Sequence, residues 1–234
     1  MDYPQQIWLS ILEIFYPKRC VGCGQFGDFL CFECAKKIEV VKSYTCYGCG
    51  KISKFGKLCP SCQNRLDTSV SSIIYAADYH NDVVKKLIAS LKYDGVTALV
   101  PMLSSLLLPR IPVETNAIIA PVPLHSSRQK SRGFNQSELI AKEVSTKLGI
   151  AIVLPLKRVK KTRSQVGLSK ELRTQNLADA FKCTNPAEIV GKTVFLIDDV
   201  VTTGSTFSAC ATVLKAAGAK RVICLAIARN LQTK

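Results

Sequence analysis

Two adjacent carboxylates, Asp198 and Asp199, close an apolar run and are followed at once by Thr202, Thr203, Gly204, Ser205 and Thr206, in the stretch VFLIDDVVTTGST. A glycine-permitted turn that opens a helix presents free backbone N–H groups and the positive helix end, which together suit a phosphate. The hydroxyls add donors. The two aspartates cannot share that phosphate, because like charges repel. They suit hydroxyl groups or a metal ion carried with the ligand. A ribose 5-phosphate satisfies both halves: a phosphate at one end, a diol at the other.

A second constellation lies near the N-terminus. Eight of the eleven cysteines form four CxxC pairs, Cys20/Cys23, Cys31/Cys34, Cys46/Cys49 and Cys59/Cys62. One such pair is ambiguous between redox and metal chemistry, but four in succession point to metal. Eight sulfurs fill two tetrahedral four-cysteine sites, Cys20, Cys23, Cys31 and Cys34 in one, Cys46, Cys49, Cys59 and Cys62 in the other; an interleaved pairing stays open. Four protein sulfurs leave no position for a reactive water, so two structural zinc ions are expected, zinc being favoured over iron. The glycines Gly22, Gly24, Gly48 and Gly50 suit the tight knuckle turns. Cys183, Cys210 and Cys224 read as buried thiols.

The third is basic. The chain has 32 lysines and arginines against 17 acids, a formal net charge of +15. Such an excess points to polyanionic partners: nucleic acid, phosphorylated ligands or an anionic membrane surface. Two segments concentrate it. PVPLHSSRQKSRGFNQS, read as a loop, carries Arg128, Lys130 and Arg132. KRVKKTRSQVGLSKELRTQNLADAF carries Lys157, Arg158, Lys160, Lys161 and Arg163 and reads as a flap over the active face. These cations suit a diphosphate or a nucleic-acid backbone. Tyr47, Phe55, Tyr93 and Phe134 are candidates to stack on bases. His125, in the first segment, is a candidate general acid whose plainer reading is a bystander.

These residues need a scaffold. Strand patterns lie at Ser69–Tyr79, in NAIIAPVP, in IAIVLPL, in KTVFLID and in RVICLAIA, and they alternate with helical patterns at NDVVKKLIASLKYDG, QSELIAKEVSTKLG and SACATVLKAAGA. Unbroken apolar strands alternating with helices argue an α/β fold with a parallel sheet covered on both faces. In such a sheet ligands sit beyond the carboxyl ends of the strands, which is where Asp198 and Asp199 fall, at the end of VFLID. The expected organisation is a short amphipathic segment (1–17), a double zinc-ribbon module (18–66) and the α/β domain (67–234).

At 47% hydrophobic residues the composition is that of a folded chain, not a disordered one. The apolar segment Ile7–Tyr16 contains Glu13 and is too short to span a bilayer. No basic leader with a small-residue cleavage site is visible, so a cytoplasmic location is expected. Peripheral contact of Ile7–Tyr16 with the inner face of the membrane is the open alternative.

VFLIDDVVTTGST resembles the phosphoribosyl pyrophosphate (PRPP) signature of type I phosphoribosyltransferases along its whole length. The resemblance implies a Rossmann-like sheet of that kind. Asp198 and Asp199 would face the ribose hydroxyls and Thr202–Thr206 the 5-phosphate, with Mg²⁺ accompanying PRPP. The wider plan resembles the ComF/ComFC (GntX-like) competence family over about residues 15–229. It comprises the cysteine-rich module, LKYDG after a helix, PVPL…RGFNQ, the Q-x-GLS-x-x-x-R-x-x-N segment and IDDVVTTGST. That family is implicated in natural transformation, handling incoming single-stranded DNA on the cytoplasmic side. A structural role, as a scaffold docking on the DNA-uptake machinery through the zinc module, is a further option. The zinc module stands where type I enzymes place a hood for the second substrate. A phosphoribosyltransferase with an unidentified acceptor is the alternative to a DNA-handling protein, and no residue has the placement of a catalytic acid or base.

Overall fold

The computed structural model describes residues 17–64, 66, 69–160 and 179–230. The segment Ile7–Tyr16, and Lys161 and Arg163 with most of the expected flap, lie outside them. Strands β1 (Ser72–Asp78), β2 (Ala117–Pro121), β3 (Leu156–Arg158), β4 (Phe181–Cys183), β5 (Thr193–Val201) and β6 (Arg221–Arg229) make two sheets. The larger has the order β1-β6-β5-β2 with every pair parallel. Strands β3 and β4 form a separate antiparallel pair.

Along β5 the side chains alternate between two apolar cores, as strand geometry requires. Phe195 and Ile197 join the core built by helices α3 (Asp82–Ala89), α4 (Val100–Leu107) and α6 (Gln136–Leu148). Val194 and Leu196 join the other, with Phe207, Cys210 and Leu214 of α7 (Ser205–Ala216) and with Leu156 and Phe181 of the β3–β4 pair. Both faces are covered, which is why these strands read as unbroken apolar runs.

Three local expectations are corrected. IAIVLPL contributes only a bridge between Ile152 and Ile119 at the outer edge of β2, and its last residue starts β3. Pro155, which has no N–H to donate, stands where the chain leaves that edge. The basic segment after β2 is not a loop: it contains helix α5 (Ser126–Arg132), which His125 caps and Gly133 ends with φ of 82°. An all-polar helix carries no apolar periodicity to reveal it. Strand β5 runs past both aspartates to Val201, because β6 extends alongside it and pairs Val200 with Ala228 and Val201 with Arg229.

The cysteine-rich region contributes two short helices, α1 (Phe32–Ala35) and α2 (Pro60–Gln63), each starting just after a cysteine. It closes the β1 edge of the sheet. Val40 bridges Ala77, and the Val41 N–H donates to the Ala76 carbonyl at 2.8 Å. The Arg110 guanidinium donates to the carbonyls of Val41 and Ser43. Cys20 and Cys34 are buried in the same apolar core as α3 and α4.

Candidate functional site

The four parallel strands end at one cleft of about 1060 Å³. Its lining includes the residues that follow β1, β2 and β6, namely Tyr79, Val122 and Asn230, together with Asp198–Thr202 at the end of β5. This is the place a parallel sheet reserves for a ligand.

Asp198 and Asp199 take different partners. Asp199 is buried at 3% exposure, and its Oδ1 lies 2.7 Å from Lys92 Nζ. Its Oδ2 is buried with no hydrogen-bond partner. Asp198 Oδ1 accepts from the Ser137 hydroxyl at 2.7 Å and from the Asp199 N–H at 2.9 Å. Burial, and then the charge of Asp199, push the Asp198 carboxyl up to about 7 despite those bonds. Burial works against the Lys92 cation, but the Asp199 carboxylate outweighs it and holds the ammonium above the ordinary lysine range.

Lys92 and Ser137 lie in stretches the sequence singles out, LKYDG and RGFNQS, but neither is among the expected site residues; Ser137 reads there only as an alternative to Asn135 for the cap of the following helix. Lys92 sits in a π-helical turn, Ser90–Asp94, that continues α3 and ends at Gly95 with φ of 70°. Single π turns are rare, and where they occur they are frequently at functional sites. Ser137 is free to face Asp198 because Asn135, not Ser137, caps α6: the Asn135 side chain accepts from the Ser137 N–H.

The second half of the signature lies at the start of α7. Gly204, at φ 80°, is the N-cap of α7 and provides no side-chain cap, and the Ser205 N–H donates to Thr203 Oγ1 at 3.4 Å. Thr203 Oγ1 and Ser205 Oγ lie 2.7 Å apart. Thr202, Gly204, Ser205 and Thr206 all line the cleft.

Helix α5 divides its cations. Arg128 and Arg132, four residues apart, line the cleft, whereas Lys130 on another face does not. Arg158 of β3 reaches the same cleft, with its guanidinium 5.4 Å from the Phe181 ring centroid. Burial and then the charge of Arg128 disfavour the Arg158 cation, so the two arginines converge closely enough to repel. Lys157 does not line the cleft, and neither does Lys160, which lies 3.4 Å from Asp179. Tyr93, 78% exposed, and Phe134 line the cleft, with Arg132 over the Tyr93 ring at 5.5 Å. Tyr47 and Phe55 are elsewhere: the Tyr47 hydroxyl donates to the Val70 carbonyl, and Phe55 packs on Tyr44. His125 is occupied as a cap, accepting from the Ser127 N–H. Among the described residues, nothing from the cysteine-rich region lines the cleft.

The cysteines pair sequentially. The four sulfurs of Cys20, Cys23, Cys31 and Cys34 lie within 4.8 Å of one another, and so do those of Cys46, Cys49, Cys59 and Cys62. Each tetrad repeats one design. The Cys31 N–H donates to Cys20 Sγ at 3.4 Å, and the Cys59 N–H to Cys46 Sγ at 3.2 Å. Burial opposes ionisation of Cys20, but N–H groups of Cys31, Cys23 and Gly22 outweigh it and bring the thiol down to about 6. Gly22 and Gly48 are needed for space: a Cβ would stand 2.6 Å from Cys34 Sγ at one and 3.0 Å from Cys62 Sγ at the other. Eight thiols in two compact tetrads fit two structural zinc ions. Of the remaining cysteines, Cys210 and Cys224 are buried, and Cys183 on β4 is half-buried.

Residues 11–68 match the double zinc ribbon domain family, and residues 135–234 match the phosphoribosyl transferase domain family. The DNA utilization protein YhgH of Escherichia coli K12 is 30% identical over 240 residues, covering 99% of this chain and 100% of its own. The chain belongs to the ComF/ComFC competence family. Competence protein F of Haemophilus influenzae is 29% identical over 226 residues, 87% of this chain and 98% of its own. Competence protein ComFC of Bacillus subtilis is 24% identical over 185 residues, 76% and 74%. In this ComF/ComFC chain the phosphoribosyltransferase fold and the double ribbon therefore stand together. No helix of the described residues is long and apolar enough to cross a membrane.

Proposed function

We propose that this chain handles incoming single-stranded DNA on the cytoplasmic side during natural transformation, and that its cleft is a PRPP site. The relatives' names, competence protein and DNA utilization protein, support the first half. One observation carries the second. Asp199 Oδ2 is buried without a partner in a cleft that also holds the start of α7 and three arginines. A buried carboxylate oxygen left unpaired is costly, and a ligand diol satisfies it. In this reading Asp198 and Asp199 take the ribose hydroxyls, Thr202–Thr206 the 5-phosphate, and Arg128, Arg132 and Arg158 the diphosphate. Lys130, Lys157, Lys160, Lys161 and Arg163 remain for a nucleic-acid backbone. The donors beside the ligand are all oxygens, which suits Mg²⁺ brought in with PRPP. The division into ribbon module and α/β domain is placed at residues 66 and 67, with residues 1–17 preceding the ribbons. Docking on the DNA-uptake machinery and peripheral membrane contact belong to the same reading.

The test is thermal shift with PRPP and Mg²⁺. The wild type is stabilised. Asp198→Asn with Asp199→Asn stays folded and shows no shift. A shift that survives both substitutions overturns the site.

A second reading, phosphoribosyl transfer to an acceptor, is favoured by the Tyr79, Tyr93 and Phe134 rings in the same cleft, which suit a planar base. Labelled PRPP screened against bases and amines, with pyrophosphate release as the readout, decides it. Turnover with any acceptor establishes the enzyme, and its absence across the screen leaves a binding module.

A further inference from the structure

The first ribbon displays two phenylalanines to solvent. Phe26 is 59% and Phe32 72% exposed. Each of these open rings carries a cation on its face. Arg19 Cζ lies 4.0 Å from the Phe26 centroid, and Lys36 Nζ 4.1 Å from that of Phe32. Lys36 also pairs with Glu33 at 3.2 Å. The tetrad holds both rings in place. Phe26 bridges Arg19, the residue before Cys20, and Phe32 begins α1 directly after Cys31.

The second ribbon has a weaker counterpart: Phe55, 41% exposed, has Lys54 Nζ 6.0 Å from its centroid, and no ring stands at the positions of Phe26 and Phe32. Ile52 stands at the bridge position of Phe26, and Pro60 follows Cys59 where Phe32 follows Cys31. Its own Phe55 leans on Tyr44 with centroids 5.5 Å apart. The two ribbons share their metal geometry, so the rings of the first are not required to hold zinc. The region from Lys18 to Leu66 is also basic, with nine lysines and arginines against three acids.

We propose that Phe26 and Phe32, with Arg19 and Lys36, are a single-stranded nucleic-acid surface separate from the cleft. The proposal rests on the DNA-handling reading above and moves base contact from the cleft to the first ribbon. A cation holds one side of each ring, and the exposure leaves the rest to an incoming base. Every base offers a π-face, so stacking is tolerant of sequence, and the adjoining cations take the phosphates. A duplex keeps its bases stacked inside and has no such face to offer. An acidic protein partner would be matched by the cations but leaves the placement of a ring under each of them unaccounted for.

The test uses the full chain with zinc bound, fluorescence anisotropy, and two labelled strands of equal length, oligo-dT and its abasic analogue. Wild type is expected to bind oligo-dT more tightly than the abasic strand. Phe26→Ala with Phe32→Ala lowers oligo-dT affinity on the order of tenfold or more. It leaves abasic affinity, the salt slope and zinc content unchanged, because the cations and cysteines remain. Phe26→Tyr with Phe32→Tyr, which keeps the rings, retains wild-type affinity. Wild type that binds oligo-dT while the alanine variant binds it equally well overturns the surface, leaves DNA handling intact, and assigns the rings to a protein partner. Wild type that binds neither strand overturns the DNA-handling reading and this proposal with it. A loss of affinity for both strands alike, with zinc retained, also overturns stacking.

Discussion

Lys92 Nζ stands 2.7 Å from Asp199 Oδ1, and the two side chains are 19% and 5% exposed. The pair joins a π-helical turn after α3 to the central strand, and it neutralises in advance the more buried of the two signature acids. A buried pair of this kind matters most when one partner is removed, because the survivor is then an uncompensated charge.

Lys92→Met is therefore expected to destabilise the ligand-free protein by about 3 kcal/mol. Lys92→Met with Asp199→Asn recovers most of that loss. Urea unfolding midpoints check both, and equal losses in the single and double variants would show that Lys92 acts through packing alone.

Asp198 gives a pH dependence. Its carboxyl is raised from 3.8 to about 7, by burial first and then by Asp199. The folded protein thus keeps a proton that the unfolded chain releases from about pH 4 upward. This contribution is fully present below pH 4, declines as pH rises towards 7, and is gone above it, at most about 1.4 kcal/mol per pH unit. Asp198→Asn removes the decline. The difference in melting temperature between variant and wild type, followed from pH 4 to 8, is expected to grow in the variant's favour with pH. A flat difference refutes the assignment.

The arginines of the cleft are separable from their neighbours. Arg128→Ala is expected to weaken pyrophosphate binding by about 1.5–3 kcal/mol, the range for a charged hydrogen bond. Lys130→Ala, on the same helix but off the cleft, leaves it unchanged. Isothermal titration with pyrophosphate distinguishes them, and equal losses would mean that only general basicity matters.

The tetrads can be opened one at a time. Gly22→Ala puts a Cβ 2.6 Å from Cys34 Sγ, and Gly48→Ala puts one 3.0 Å from Cys62 Sγ. Each is expected to lower zinc from two ions per chain to one, measured by elemental analysis. Gly22→Ala should also lower the melting temperature more, because Cys20 and Cys34 belong to the core under α3 and α4. Full zinc retention in both variants would refute the close-approach argument.

Chemistry was legible wherever it is local in the chain. CxxC spacing fixes which sulfurs share a knuckle, and VFLIDDVVTTGST holds a strand, a turn and a helix start within thirteen residues. Helix α5 and the failure of IAIVLPL to extend as a strand were not legible. The first has no apolar face, and the second is an edge segment whose fate depends on what lies beside it.

The sequence by itself determined the four CxxC pairs, the parallel α/β fold and the strand–turn–helix form of VFLIDDVVTTGST, because each follows from spacing or periodicity within a short segment. Only the tertiary structure decided that Lys92 pairs Asp199, that Ser137 pairs Asp198, that Arg128 and Arg158 converge while Lys130 and Lys157 do not, and that the cysteines group sequentially. The first three of those relations join segments tens of residues apart, and their geometry is set by how the helices pack on the sheet.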